Sequence, residues 1–182
     1  MNRDEFWYLI EKGHKEKTEE KKLELWTAVL ARSQDEDIFT FYDIMHTYFR
    51  LADQERLLAA ANIIFTGCSD DAFDGFRAWL ISQGENAYFS VLAEPEYLIE
   101  LCNPGQTHRM DQLLQVPYKA FFQKNGTPED YRGFSLAQEY LGLTPIQKNL
   151  LEDEITFAWD IVEPWKLEDL PFLFPRLYEK FN

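Results

Sequence analysis

The stretch from Asn62 to Gly84, NIIFTGCSDDAFDGFRAWLISQG, carries the clearest hydrophobic pattern in the chain. At helical spacing, Ala72, Phe73, Phe76, Trp79 and Leu80 fall within one arc about a third of a turn wide, which must be buried. The opposite side carries Asp70, Asp74 and Arg77, with Ile81 among them. Ser69 is the natural N-cap, its hydroxyl accepting from a free backbone N–H in the first turn. Asp70 and Asp71 follow at the positive end of the helix dipole. Gly67 suits the left-handed residue that ends the preceding helix, and Gly84 the residue just past the end of this one.

The same periodicity divides most of the chain into helices. Phe6, Leu9 and Ile10 give the inner face of a helix over residues 4–12, capped by Asn2 and ended by Gly13. The charged segment 14–22 reads as a solvated turn and the start of a second helix, with Leu23, Trp26, Val29 and Leu30 inside. Ser33 with Glu36 reads as a capping box. It opens a helix striped by Ile38, Phe41, Tyr42, Met45, Tyr48 and Phe49, with His46 beside the stripe. Asp53 is the expected cap of the next helix, whose inner residues are Leu57, Leu58, Ala61, Ile64 and Phe65. Asn62 lies next to that apolar run and must be hydrogen-bonded if buried, so it is expected to hold the turn at Gly67.

After the central helix, 85–93 and 95–101 read as short helices and Asn103-Pro104-Gly105 as a turn. Thr107 is expected to cap a helix through Leu113, Leu114 and Val116 that restarts at Pro117 and closes at Asn125-Gly126. Thr127-Pro128 reads as a helix start, shortened by Gly133. Residues 135–141, 145–151 and 167–172 are helical candidates, and 155–162 (ITFAWDIV) reads as a strand or a buried loop. Trp159, Trp165, Phe172, Phe174, Leu177, Tyr178 and Phe181 give the tail enough apolar area to cover a bundle. The expectation is one all-α domain over residues 1–182. It is a compact multi-helix bundle of residues 1–125, wrapped by an irregular C-terminal segment, 126–182.

The run GCSDDAFDGFRAWLISQG, with DEFWYLI at residues 4–10, resembles the bacterial domain-of-unknown-function 4240 family. The likeness covers about residues 3–125, and residues 175–181 (PRLYEKF) match its tail loosely. Thr66 and Ala72 stand where the family commonly has glycine, and neither change is expected to touch the capping. The resemblance implies a mostly helical bacterial domain with no settled activity and no agreed catalytic residues.

The net charge of −14 and the pI near 4.6 change the picture further. Phosphate neutralisation needs clustered Lys and Arg, so nucleic acid is not an expected partner. An anionic membrane surface is excluded on the same ground. The acidity fits solubility, or a basic protein partner. Two cysteines, Cys68 and Cys102, are too few for a disulfide framework and fit a reducing cytosol. No apolar run reaches the roughly 20 residues of a membrane span, and residues 1–12 are too charged for a signal peptide.

The chemistry on offer is thin. No nucleophile elbow, phosphate loop, dinucleotide fingerprint or zinc-protease motif is present. His14, His46 and His108 lack ligand spacing. Cys68 precedes a helix N-cap, where a thiol can be activated, but a small buried side chain is the simpler reading. A nucleophile–base pair of Cys68 with His46 or His108 requires the fold to bring them together. The one constellation left is the acidic corner of Asp70, Asp71, Asp74 and Arg77, embedded in the motif Gly67, Cys68, Ser69, Phe73, Phe76, Trp79 and Gly84. It reads as capping plus an Asp74–Arg77 pair at i,i+3, or as a carboxylate site for a hard cation or an acid/base pair. No cofactor and no metal is expected. The first functional expectation is a non-enzymatic interaction protein of the bacterial cytosol, of inhibitor or immunity type, binding a basic protein. The alternative is an enzyme or metal binder that uses the corner. Oligomeric state is not legible.

Overall fold

The computed structural model describes residues 1–126, 130–153, 161 and 165–182. The architecture is all-α, and the described residues include no strand. The helices are α1 (Arg3–Lys12), α2 (Glu19–Arg32), α3 (Asp35–Leu51), α4 (Glu55–Phe65), α5 (Asp70–Ser82) and α6 (Glu85–Ala93). They continue with α7 (Leu98–Leu101), α8 (Val116–Asn125), α9 (Tyr131–Leu141), α10 (Pro145–Asp153), α11 (Leu170–Leu173) and α12 (Pro175–Phe181). Short 3-10 turns precede α2, α7, α8 and α11.

α3 is the axis of the bundle and packs on α1, α2, α5, α8, α9 and α10. That many neighbours demand more apolar surface than one stripe. Phe39, Ile44 and Leu51 are buried as well as the expected Ile38, Phe41, Met45 and Tyr48. Phe6 and Trp7 of α1 meet Tyr48 at 5.9 and 4.9 Å, and Tyr88 of α6 packs against both Trp7 and Tyr48. The Tyr88 hydroxyl donates to the Tyr48 carbonyl at 2.6 Å, which removes the cost of burying it. Trp26 of α2 likewise donates its indole N–H to the Leu9 carbonyl.

Two helix starts move by one residue and a third by more. Asn2 caps α1 as expected and forms a capping box with Glu5. Ser33 does not open α3; its hydroxyl donates to the Leu30 carbonyl at the end of α2. Gln34 opens α3 instead, and the Asp37 carboxylate accepts from the Gln34 N–H. Asp53 is not the cap of α4, since Gln54 holds that position and Asp53 turns toward Arg77. Thr107 caps nothing: the chain enters a 3-10 turn at Asp111 and becomes α-helical at Val116. Pro117 lies in the first turn of α8 and Gly126 ends it with φ +65°, as expected. Gly133 does not limit α9, which runs through it from an Asp130 cap.

The turn before α5 also differs. The left-handed residue that ends α4 is Thr66, at φ +51°, and Gly67 follows it at φ +115°. Thr66 is thus itself the cap of α4, against the expectation that this position leaves the capping untouched, and a glycine there would relax the turn. Asn62 holds the turn as expected. Its side-chain N–H donates to the Leu58 carbonyl, and its side-chain oxygen accepts from the Cys68 N–H.

The C-terminal part lies on the bundle. α9 and α10 pack on α3, α11 on α4, and α12 on α4 and α7. Leu170, Phe174 and Leu177 are buried, and Lys180 donates to the Ile99 and Cys102 carbonyls at the end of α7. Phe172 is an exception to the expected cover, being 86 % exposed. The Thr127-Pro128 start and Trp159 lie outside the described residues, as does all of the 155–162 segment except residue 161.

Candidate functional site

Two helix starts meet at the acidic corner. The N-terminus of α4 brings Asp53, Gln54, Glu55 and Leu58, and the N-terminal half of α5 brings Asp70, Phe73, Asp74 and Arg77. Together they line an open cleft of about 430 Å³. Ser69 caps α5 as its sequence demands, accepting from the Ala72 N–H at 3.3 Å. Asp70 and Asp74, one turn apart, then face the cleft together. Asp71 does not; it sits on the other flank of α5, where its backbone carbonyl accepts from Arg109. The corner of three aspartates is thus divided, and no third ligand for a hard cation comes from Asp71.

Arg77 is the centre of the cleft. The sequence places it on the polar side, but the fold buries it, with a side chain 9 % exposed. Its guanidinium lies 4.1 Å over the Phe49 ring and 4.9 Å from the Phe73 ring. Such a sandwich favours a cation through the aromatic quadrupoles. Nη1 donates to the Phe49 carbonyl and lies 3.4 Å from Asp53, while Nη2 pairs with Asp74 at 2.5 Å. Nε is buried and has no partner among the described residues. The expected Asp74–Arg77 pair is present, but it belongs to a network rather than to a solvated helix face. Ile81 is also buried, so the side of α5 expected to be wet is largely covered.

The sequence missed Asp53 and Glu55 as companions of this corner, because α4 and α5 meet only in three dimensions. Glu55 accepts from the Trp165 indole of the tail at 2.9 Å. The signal available for Arg77 was its i,i+4 spacing from Phe73, which lets an aromatic ring lie under a guanidinium. Four carboxylates and one guanidinium line the cleft among the described residues, an excess that attracts cations. Among the described residues, no group of three or more His, Cys, Asp or Glu side chains is arranged to hold a metal ion.

On the opposite flank of α5, Gly75 permits a close approach. A side chain there would meet Arg109 Nε at 2.7 Å and the Asp111 carboxylate at 2.8 Å. The Met110 N–H donates to the Gly75 carbonyl, which pins this segment to the helix. Arg109 and Asp111 bond each other at 2.8 Å, which raises the one pKa and lowers the other.

The cysteine chemistry does not develop. Burial pushes the Cys68 thiol up to about 11, against a smaller opposing pull from Arg109. Cys102 is raised to about 12, again by burial. The described interactions of Cys68 involve Asn62, Ser69, Arg109 and Asp70, and neither His46 nor His108 is among them. His46 packs 4.2 Å from the Tyr42 ring, and His108 packs on Trp79 and bonds the Asn103 carbonyl. Both imidazoles are held below the ordinary value of 6.5, chiefly by burial.

A family described as protein of unknown function (DUF4240) matches residues 1–123. The chain belongs to the DUF4240 family. The match includes the whole cleft and stops before α9, so residues 175–181 lie outside it. No curated protein and no solved structure matches the chain. In this DUF4240 member the Gly67–Gly84 motif is thus a turn, a cap and a core helix, and its acidic residues form half of a cleft shared with α4.

Proposed function

We propose that this protein acts without catalysis, by binding a basic protein partner in the bacterial cytosol. An inhibitor or immunity-type protein is the most concrete form of that role. The observation that carries the reading is the cleft itself, lined among the described residues by Asp53, Glu55, Asp70 and Asp74 and by one guanidinium, that of Arg77, which pairs with Asp53 and Asp74. An excess of carboxylates in a concave site focuses the field and favours a lysine or arginine side chain from a partner. The net charge of −14 extends the same attraction over the whole molecule and steers encounter. Two further facts support the cytosolic setting: both cysteines are free thiols, and no described helix is long and apolar enough to cross a membrane.

Immobilised full-length protein exposed to a bacterial soluble extract tests this. The retained proteins are expected to be basic, to elute as salt rises, and to be held roughly tenfold less tightly by Asp70→Lys, a reversal at an exposed position. Retention that ignores both salt and Asp70→Lys contradicts the proposal.

A further inference from the structure

The DUF4240 match ends at residue 123, and the next described helices, α9 and α10, lie across the α3 axis. An Arg50–Glu152 ion pair and the Tyr131 ring against Tyr118 and Phe122 tie them at partly exposed positions, and two buried points hold them more firmly. The first is a ring: Phe134 of α9 is 1 % exposed and sits in a hollow made by Phe39, Tyr42, Tyr118 and Phe121, at 4.9, 5.3, 4.3 and 5.5 Å. The second is a charge: Asp43 of α3 is 4 % exposed. It accepts from Gln138 Nε2 at 2.8 Å and from the Leu143 N–H at 2.7 Å, and pairs with Lys148 Nζ at 2.9 Å. All three of these partners come from the 138–148 stretch. Gly142 lies so close that a Cβ would stand 2.4 Å from the Asp43 carboxylate. A buried carboxylate of the family domain is therefore satisfied by groups that lie beyond the family match.

The outward side of the pair is bare. Leu136, Tyr140, Ile146 and Leu150 are 53–82 % exposed, and only Phe134 and Leu151 of the two helices are buried apolar residues. Helices of 11 and 9 residues are too short to persist alone in water. Segments with few buried apolar contacts open at lower free energy than the core to which they attach.

We propose that α9 and α10 form a strap that leaves α3 as one unit, uncovering the Phe39–Tyr42–Tyr118–Phe121 hollow, while α1 to α8 stay folded. Asp43 is the latch. With its partners in place it is neutralised and fully bonded; with one removed, a buried charge is left short of a donor and gains by reaching water. Phe134 is the plug, and it leaves the hollow with the strap. This device does not depend on the basic partner proposed above.

Limited proteolysis of the full chain by thermolysin, with cut sites mapped by mass spectrometry, tests it. Lys148→Met removes one latch partner at a position 36 % exposed. The expected result is cleavage within residues 130–153 about tenfold faster than in the wild-type protein, with a persistent fragment that contains α1 to α8. Gln138→Leu should act in the same direction, and Asp43→Asn should mimic both if it folds. Dye binding to exposed aromatic surface should rise in step with the cuts. Unchanged cleavage in both Lys148→Met and Gln138→Leu, or cuts that appear in α3 and α5 as early as in the strap, would overturn the proposal.

Discussion

α5 and α9 are helices of similar length, 13 and 11 residues, and each starts on a side-chain cap, Ser69 and Asp130. Each also carries a clear apolar stripe. Their surroundings are opposite. Beyond its first turn, α5 is buried on nearly every side, including Arg77, Ile81 and Ser82. α9 buries Phe134 and leaves Leu136 and Tyr140 in water. Cap and periodicity thus specify a helix equally well in both places. What separates a core helix from a strap is how many neighbours cover it, and that is a property of the whole fold.

The largest effect that can break this comparison is at Trp79, which is 6 % exposed and stacked 5.4 Å from Phe76. Trp79→Ala should cost about 3–5 kcal/mol in chemical denaturation, the cost of an unfilled aromatic site. A near-neutral result would remove α5 from the core. A smaller effect is expected from acid. Burial lowers the His46 pKa, with Asp43 raising it and Lys148 lowering it less strongly. The Tyr42 and Phe49 rings also pack against it. A histidine with a depressed folded pKa binds its proton more readily when unfolded, so stability is present above the ordinary value of 6.5 and is lost as pH falls below it. Burial lowers His108 in the same sense. Melting temperature should therefore fall from about pH 7 to about pH 5, with a shallower slope in His46→Gln. An unchanged slope would clear His46 of any part in the acid response.

Two changes at the turn before α5 are smaller still. Thr66→Gly should stabilise by about 1 kcal/mol, because a β-branched residue at positive φ is strained and glycine is not. Ser69→Ala should cost about 1 kcal/mol through the lost cap. Denaturant midpoints check both, and a destabilised Thr66→Gly would show that the hydroxyl bond from Thr66 to the Phe65 carbonyl outweighs the strain. The smallest effect belongs to the strap. Tyr140→Ser, at a position 82 % exposed, should stay within about 0.5 kcal/mol of the wild type. A larger loss would mean that the outer face of α9 is covered in solution.

Most helices of the first 125 residues were legible because their apolar residues recur at one period and their ends carry cap residues. Phe6, Trp26, Phe41, Phe76 and Trp79 are inside where periodicity puts them. Helix starts were less legible. Ser33, Asp53 and Thr107 are good cap residues by type, but in each case the helix begins further along the chain. The cleft was half legible. Asp70, Asp74 and Arg77 share one helix and so declare themselves by spacing, whereas Asp53 and Glu55 arrive on another helix, and Asp71 departs because consecutive residues on a helix point about 100° apart. Asp43 left no local signal at all. Its partners are 95 to 105 residues away, and nothing in the α3 pattern distinguishes it from a wet aspartate.

Native-state hydrogen exchange of the unmodified protein, followed amide by amide in rising denaturant, measures the contrast between α5 and α9 most directly. The prediction is that the amides of α9 and α10 exchange together through an opening of lower free energy, while those of α5 and α3 exchange only through global unfolding. A single opening free energy shared by all four helices would contradict the division of this molecule into a core and a strap.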